Sequence, residues 1–184
     1  HAAGILEDGL VESQTVQRFD AVLNGKARGA WHLHEHITEP LEFFVLFSSI
    51  ASLVGTRGQT PYAAANGFLD GLAARRARRG LPVTCIQWGP WAEVGMAASL
   101  DDVESAPVHA MDPDRCLDVM EQLVVGGATT MACVDADWSR FAVDLPSLRS
   151  WMPDLEPVSS EADVSTVEGA VAEILRCTGD TLGT

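Results

Sequence analysis

The chain has 184 residues, of which 47% are apolar and 21% are charged, a composition typical of one ordinary globular domain and not of a disordered chain. Its formal net charge of -14 argues against binding to a phosphate backbone or an anionic membrane surface, so we expect neither nucleic acid nor membrane as a partner. The longest apolar run, over residues 43–54, is too short for the roughly 20 residues of a membrane span.

The first predicted element is a helix over residues 15–37, with Gly25 as a soft interruption. Lys26 interrupts the apolar face of this helix, because its position turns it to the same side as its apolar neighbours. A charged side chain on a face that should be buried indicates a specific role for Lys26. The apolar residues of that face are Phe19, Val22, Leu23, Ala30, Leu33 and Ile37.

Strand and helix patterns alternate along the middle of the chain. The apolar run over residues 43–49 is typical of a strand covered on both faces, and residues 48–61 are predicted to form a loop. An alanine-rich helix then runs from Pro61 to about Arg79, where Gly80 and Pro82 end it. The later predictions are a strand over 83–88, a helix over 112–125 and a strand over 130–134. This alternation predicts an α/β fold with a parallel sheet and flanking helices.

The composition changes after residue 151. Residues 153–163 hold two prolines, two serines and four acidic residues but no basic one, which is typical of a linker. Ser165 and Glu168 form a capping-box pattern that predicts a short helix. We therefore divide the chain into a first domain over 1–151, a linker over 152–164, and the start of a following domain over 165–184, with a weak resemblance to an acyl carrier domain.

Cysteines and histidines are present without the spacing of a metal site. The cysteines form no CxxC pair and lie in apolar patterns, so we expect free thiols, and with no export signal in the sequence we expect a cytoplasmic protein. The histidines alternate and point to different sides of a helix, so we expect no metal. These residues are Cys85, Cys116, Cys133 and Cys177, and His32, His34 and His36.

A cluster of arginines ends the alanine-rich helix. Their positive charges favour the carboxyl end of a helix, and we expect them to stay solvated. The alternative is that they receive an acidic carrier protein. The four residues are Arg75, Arg76, Arg78 and Arg79.

Polar residues converge where the first strand ends. Tyr62, the only tyrosine of the chain, and Asn66 lie one helical turn apart on one face. Ser48 and Ser49 end the preceding strand, at the edge where ligand crevices of open α/β sheets form. Spacing alone leaves two interpretations open. These residues form a catalytic site, or Tyr62 caps the core, Asn66 bonds the backbone and the serines shape a turn.

Five short motifs occur in a distinctive order. They are His1-Ala2-Ala3-Gly4, the glycine-flanked segment 25–31, Phe47-Ser48-Ser49, Gly58-Gln59 ahead of Tyr62-Ala63-Ala64-Ala65-Asn66, and Trp88-Gly89. Together these motifs resemble the ketoreductase domains of modular polyketide synthases, members of the short-chain dehydrogenase/reductase superfamily, over about residues 1–151. The resemblance implies a Rossmann-like fold, of which this chain is the C-terminal part.

The resemblance implies a catalytic tetrad of Lys26, Ser49, Tyr62 and Asn66. In this family the lysine and asparagine exchange places relative to common short-chain dehydrogenases. Adding a hydride to a β-ketone places alkoxide charge on oxygen, which requires a proton donor and a further hydrogen bond. Tyr62 would donate the proton and Ser49 would bind the oxygen. Lys26 would favour the phenolate that remains, and Asn66 would help hold the lysine.

The resemblance also implies NADPH as the cofactor, with Ala3, Gly4, Lys26, Tyr62 and Pro90 in its site. The implied substrate is a β-ketoacyl thioester held by the phosphopantetheine of an acyl carrier protein, and other polyketide synthase domains are implied partners.

Two positions bear on the configuration of the product. Leu6-Glu7-Asp8 is close to the Leu-Asp-Asp motif of the class that gives the D-configured β-hydroxyl; Asp8 is kept and Glu7 replaces the middle acid. The opposite class usually has tryptophan eight residues before the catalytic tyrosine, where this chain has Val54. Both positions favour the D-hydroxyl.

The glycine-rich turn Gly-x-Gly-x-x-Gly, with which nicotinamide reductases approach the pyrophosphate, does not occur in the 184 residues. We therefore expect the chain to be completed by an N-terminal ketoreductase half, attached or supplied by a second chain, and to be inactive alone. The competing hypothesis is a non-catalytic scaffold fragment that positions neighbouring synthase domains.

Overall fold

The computed structural model of the protein describes residues 1–92 and 108–137. The described residues alternate helices and strands as the sequence predicts. In chain order the main elements are α1 (Val16–Leu23), a π-helical turn (Asn24–Arg28), α2 (Gly29–His36), β1 (Val45–Ser49), α3 (Ala51–Val54), α4 (Thr60–Arg78), β2 (Thr84–Trp88), β3 (Val108–His109), α5 (Pro113–Val125), β4 (Thr130–Cys133) and β5 (Asp135–Ala136).

The main sheet is parallel, with strand order β1-β2-β4. Val45 of β1 lies opposite Thr84 of β2, and the register continues to Ser49 opposite Trp88. All five residues of the central strand β2 are buried, as expected for a strand covered on both faces. The other two strands, β3 and β5, pair antiparallel in a separate small sheet. The predicted α/β fold with a parallel sheet and flanking helices is confirmed.

His1 makes the main-chain contacts of a parallel ladder along the free side of β1. Its amino group donates to the Val45 carbonyl at 2.8 Å, and its carbonyl accepts from the Phe47 amide at 3.0 Å. The segment that follows His1 therefore leaves at the same edge of the sheet where β1 ends.

Helices cover both faces of the sheet. On one face, Leu69 of α4 packs with Leu46 of β1 and Cys85 of β2, all with no exposed surface. On the other face, Leu123 of α5 packs with Ile86 of β2. Alternate residues of β2 thus point to opposite layers. Burying each large apolar side chain contributes about 2 kcal/mol to stability before the entropy of ordering is counted.

The π-helical turn rotates the helix that the sequence predicts as one continuous element. A π turn holds an extra residue, so the side chains after it face a new direction. The buried residues of α2 are Ala30 and His34, whereas Leu33 and Ile37 are each 38% exposed. The extent of the predicted helix is confirmed, but Leu33 and Ile37 were wrongly assigned to its buried face.

The segment predicted as a loop over residues 48–61 contains the short helix α3. Gly55 ends this helix with φ of 75°, a left-handed conformation that favours glycine. α4 follows with Pro61 in its first turn, and Gly80, with φ of 66°, allows the chain to reverse beyond its last turn. These turns place α4 antiparallel to β1, directly over it.

Three of the four cysteines lie in the described residues, and all three are free thiols, as predicted. Burial raises the pKa of Cys116 to about 11 and that of Cys133 to about 12, and it also raises the pKa of Cys85. These thiols therefore stay protonated and unreactive. Cys177 lies outside the described residues, as do the predicted linker over 152–164 and the domain predicted to follow it. No helix among residues 1–92 and 108–137 is long and apolar enough to cross a membrane.

The predicted solvated arginine cluster is wrong for Arg76, which is 4% exposed. Its guanidinium carbon lies 3.9 Å from the centre of the Phe44 ring, and two of its nitrogens donate to the Pro82 carbonyl at 3.2 and 3.1 Å. A third nitrogen lies 2.9 Å from Nδ1 of His34. The planar guanidinium can stack on a ring and still satisfy its donors, which explains its burial. The neighbouring Arg78 and Arg79 are exposed, as expected.

The contact with Arg76 predicts a pH-dependent stability. Burial lowers the pKa of His34, and the positive charges of Arg76, Arg79 and Arg75 lower it further, while Glu35 opposes them. The unfolded chain binds the proton near the ordinary pKa of about 6.5, above the folded pKa. The stability that the folded protein gains by keeping His34 neutral is therefore complete above pH 6.5. It is lost as the pH falls below that value, at no more than about 1.4 kcal/mol per pH unit.

Urea unfolding between pH 8 and pH 5.5 checks this expectation. The His34→Gln variant keeps an acceptor for Arg76 but cannot titrate, so its stability should fall less steeply with acid than that of the wild type. The matched control is His36→Gln, an exposed histidine on the same helix, which should retain the wild-type slope. Equal slopes for wild type and His34→Gln would contradict the assignment.

Candidate active site

Lys26 is a buried lysine that connects the helical layer to the sheet. It lies on the π-helical turn and is 3% exposed. Its Nζ donates to the Phe47 carbonyl of β1 at 2.8 Å, and the same atom lies 5.5 Å from the centre of the Tyr62 ring. The π turn aims the side chain inward, and π turns are frequent at functional sites. The prediction that Lys26 points with the apolar face is confirmed.

The environment of Lys26 weakens its hold on a proton. Burial lowers its pKa from 10.5 to about 8, and the negative charge of Asp70 partly opposes this effect. At pH 7 the ammonium form still predominates. An ammonium above an aromatic ring is attracted by the negative face of the ring. Lys26 thus places a positive charge beside Tyr62, although its pKa of about 8 lies close to neutral pH.

Tyr62 and Asn66 lie on the first turns of α4, over the end of β1. Tyr62 is half-buried, whereas Asn66 has no exposed surface. The Asn66 Nδ2 donates to the Tyr62 carbonyl at 2.9 Å, and the Ser48 hydroxyl donates to the Asn66 carbonyl at 3.4 Å. The Asn66 Oδ1 is buried and has no hydrogen-bond partner within the described residues. This oxygen can accept a hydrogen bond from a group that enters the site.

The two serines at the end of β1 have different surroundings. Successive residues of a strand point to opposite faces, so Ser48 faces α4 while Ser49 does not. The Ser49 Oγ accepts the amide hydrogen of Ala51 at 3.2 Å. Because that oxygen is an acceptor in this contact, the hydroxyl hydrogen of Ser49 is available to a substrate oxygen.

The structure brings the predicted tetrad to one edge of the sheet. Lys26 and Tyr62 are in direct contact, Asn66 lies one turn after Tyr62, and Ser49 ends the strand whose Phe47 carbonyl binds Lys26. This edge is the carboxyl edge of a parallel sheet, where ligands bind in open α/β folds. The arrangement combines a cation, a phenol and a free hydroxyl. This set can stabilise and protonate an oxygen that becomes negative.

The residues predicted to bind the cofactor surround the same edge. Ala3 is exposed and Gly4 half-buried, in the extended segment that follows His1 beside β1. Pro90 follows β2, and its carbonyl accepts from the Met111 amide at 2.9 Å. At Gly89 an added Cβ would lie 3.1 Å from the Val134 side chain, so the backbone approaches closely there. These residues lie at the edge of the sheet where the sequence predicts the nicotinamide end of a dinucleotide.

The segment of Glu7 and Asp8 is fastened to the loop that leads into α4. The Asp8 carboxylate accepts from the Gln59 amide at 2.9 Å, three residues before Tyr62. Arg18 binds the Glu7 carboxylate at 3.0 Å and the Asp8 carbonyl at 2.7 Å. Asp8 therefore lies beside the start of α4, the helix that carries Tyr62.

A second polar cluster near the site was not predicted. It consists of a carboxylate on α4 with three neutral side chains around it. One signal was present in the sequence: Asp70 follows Tyr62 and Asn66 at four-residue steps, so a charge falls on the same helical face. The members of the cluster are Ser52, Asp70, Cys85 and Gln87.

The three histidines of α2 do not lie together. His34 contacts Arg76, whereas His32 and His36 stack with ring centres 5.8 Å apart.

The family described as KR domain matches residues 1–93, half of the chain. The spectinabilin polyketide synthase system protein NorB of Streptomyces orinoci is 56% identical over 103 residues, which cover 55% of this chain and 5% of that protein.

Two solved structures are similar over most of the chain. The first ketoreductase of the tylosin polyketide synthase is 39% identical with a TM-score of 0.72, covering 82% of this chain and 33% of that one. A structure described as an A-type ketoreductase from a modular polyketide synthase is 35% identical with a TM-score of 0.75, covering 94% and 35% respectively. The chain thus spans about a third of the solved proteins it matches.

The burial of Lys26 predicts that this residue contributes little to stability. In Lys26→Met the cost of desolvating the ammonium disappears, which offsets the lost hydrogen bond to the Phe47 carbonyl. We expect the free energy of unfolding at pH 7 to change by less than about 1 kcal/mol. The control is Val22→Ala, a fully buried apolar position one turn earlier, which should cost roughly 2 kcal/mol. Urea denaturation of the three proteins compares them, and equal losses for both variants would refute this assignment.

Proposed function

Because the chain belongs to the KR domain family of modular polyketide synthases, in the short-chain dehydrogenase/reductase superfamily, we propose that it carries the catalytic residues for NADPH-dependent reduction of a β-ketoacyl thioester to the β-hydroxyacyl thioester. The observation that carries the proposal is the buried Lys26 ammonium, 5.5 Å from the centre of the Tyr62 ring. A buried cation has a desolvation cost that an apolar residue would not have, so its position beside a phenol supports a role in the chemistry.

The chemistry divides among the four residues. NADPH, when bound, supplies the hydride that adds to the β-carbon. The Ser49 hydroxyl donates a hydrogen bond to the ketone oxygen and orients it. Tyr62 transfers its phenolic proton to that oxygen as negative charge develops there. The Lys26 ammonium stabilises the phenolate that remains, and the free Oδ1 of Asn66 accepts a hydrogen bond that maintains this arrangement.

The cofactor and the substrate approach the same edge of the sheet in this proposal. Lys26, Tyr62, Ala3, Gly4 and Pro90 hold the nicotinamide end of NADPH. The pyrophosphate requires a glycine-rich turn, which we assign to an N-terminal ketoreductase half. The acyl group arrives on the phosphopantetheine of an acyl carrier protein, within an assembly of other synthase domains.

The same geometry supports a stereochemical assignment. Asp8 is bonded to Gln59 close to the first turn of α4, so it borders the path to Tyr62. We assign the product as the D-configured β-hydroxyl, on the basis of Asp8 and of Val54 eight residues before Tyr62. The alternative function is a scaffold that positions neighbouring synthase domains.

Replacing the proton donor tests the proposal. In a complete ketoreductase that contains residues 1–184, Tyr62→Phe should lower kcat by about 100-fold or more, because general acid catalysis contributes at that level. The dissociation constant for NADPH should stay within about twofold, since the hydroxyl acts mainly in the transition state. Stopped-flow absorbance of NADPH gives the rate, and fluorescence titration gives the affinity.

The matched control is Thr60→Val, which removes an exposed hydroxyl two residues earlier and should retain wild-type kcat. Turnover by Tyr62→Phe above a tenth of the wild-type value would remove Tyr62 from the donor role. An inactive but folded wild type, with NADPH bound, would favour the scaffold.

A further inference from the structure

Asp70 holds a half-buried carboxylate on the helical face that carries Tyr62 and Asn66. Two neutral donors converge on its Oδ2: the Ser52 hydroxyl at 2.6 Å and the Gln87 amide at 2.8 Å. The Cys85 thiol lies 3.4 Å from Oδ1. We call Asp70, Ser52, Cys85 and Gln87 the Asp70 network.

The network joins three elements that form the catalytic edge. Asp70 belongs to α4, Gln87 to the central strand β2, and Ser52 to the short helix α3 after β1. The Ser52 hydroxyl also lies 2.8 Å from the Ser49 carbonyl, and the Gln87 amide lies 3.3 Å from the Ser52 oxygen. The single hydroxyl hydrogen of Ser52 is shared between the Asp70 carboxylate and the Ser49 carbonyl, so Ser52 links the end of β1 to the helix of Tyr62.

A neutral side chain of the same shape could join these elements, so the negative charge of Asp70 requires a further reason. The salt bridges formed within residues 1–92 and 108–137 do not include Asp70, so its donors there are neutral. A partly desolvated carboxylate without an ion pair costs more than a neutral amide of the same shape. The charge does act on Lys26, because it opposes the lowering of the lysine pKa by burial.

We propose that Asp70 is a positioning residue for the reduction: through Ser52 and Gln87 it fixes Ser49 relative to Tyr62. This inference rests on the proposed function, since positioning has meaning only if Ser49 and Tyr62 act on one oxygen. Asp70 touches neither substrate nor cofactor in this scheme.

The test is Asp70→Asn in a complete ketoreductase that contains residues 1–184. The amide keeps the shape of the side chain but loses the charge and presents a donor to groups that themselves donate. We expect kcat to fall about tenfold, while KM for NADPH stays within twofold, because the nucleotide contacts are unchanged. Ser52→Ala removes one donor and should lower kcat less. The double variant should lose no more than Asp70→Asn alone, since both changes break the same contact.

Two controls separate positioning from stability. Asp118→Asn removes an exposed carboxylate from α5, on the opposite layer, and should leave kcat at the wild-type value. Leu72→Ala makes a cavity in the core beneath α4 and should lower Tm, yet keep kcat at temperatures well below that Tm.

The outcomes are distinguishable. An active wild type with Asp70→Asn kcat within twofold of it would overturn this inference alone. So would a loss of kcat in folded Leu72→Ala as large as that in Asp70→Asn, since the effect would then follow stability. Failure of the wild type to reduce a β-ketoacyl thioester would overturn the proposed function, and with it the role of Asp70.

Discussion

One ammonium buried in the protein sets the conditions for the rest of the site. Lys26 can be kept from water only because a strand carbonyl accepts its hydrogen bond and an aromatic ring lies beside it. The π-helical turn holds both Lys26 and its neighbour Ala27 in the core. A protein that needed only stability would place an apolar residue here. The desolvation that the fold tolerates is used to hold a charge beside Tyr62.

The carboxyl edge of the sheet holds the groups around the Lys26 ammonium in fixed positions. Because β1 and β2 are parallel, Ser49 and Pro90 leave the sheet at the same end, and α4 places Tyr62 above them. The residues proposed to act in catalysis are held by neighbours that do no chemistry in this proposal. The Ala51 amide donates to the Ser49 oxygen, and the Ser52 hydroxyl contacts the Ser49 carbonyl in the same turn. The contribution of the fold is thus mainly geometric, which is how preorganised sites lower a barrier.

Much of this could be predicted from local patterns. The alternation of strand and helix could be predicted, because the spacing of apolar residues that marks each element can be seen in the sequence itself. Lys26 could be identified because a charge on an apolar face is unusual. The buried face of α2 could not be predicted, since the spacing of apolar residues does not reveal a π turn. That turn buries His34 in place of Leu33. Arg76 and Asp70 were missed because their partners, Phe44 and Gln87, come from other elements, and only the folded chain shows such contacts.

The most direct test follows the hydride itself. NADPH carrying deuterium at the transferable position of the nicotinamide is supplied with a β-ketoacyl thioester to a complete ketoreductase that contains residues 1–184, and the product is analysed by mass spectrometry and chiral chromatography. We expect one deuterium at the β-carbon of a D-configured β-hydroxyacyl thioester, and no deuterated product from folded Lys26→Met. A wild-type product without deuterium, or equal deuteration by Lys26→Met, would contradict the account.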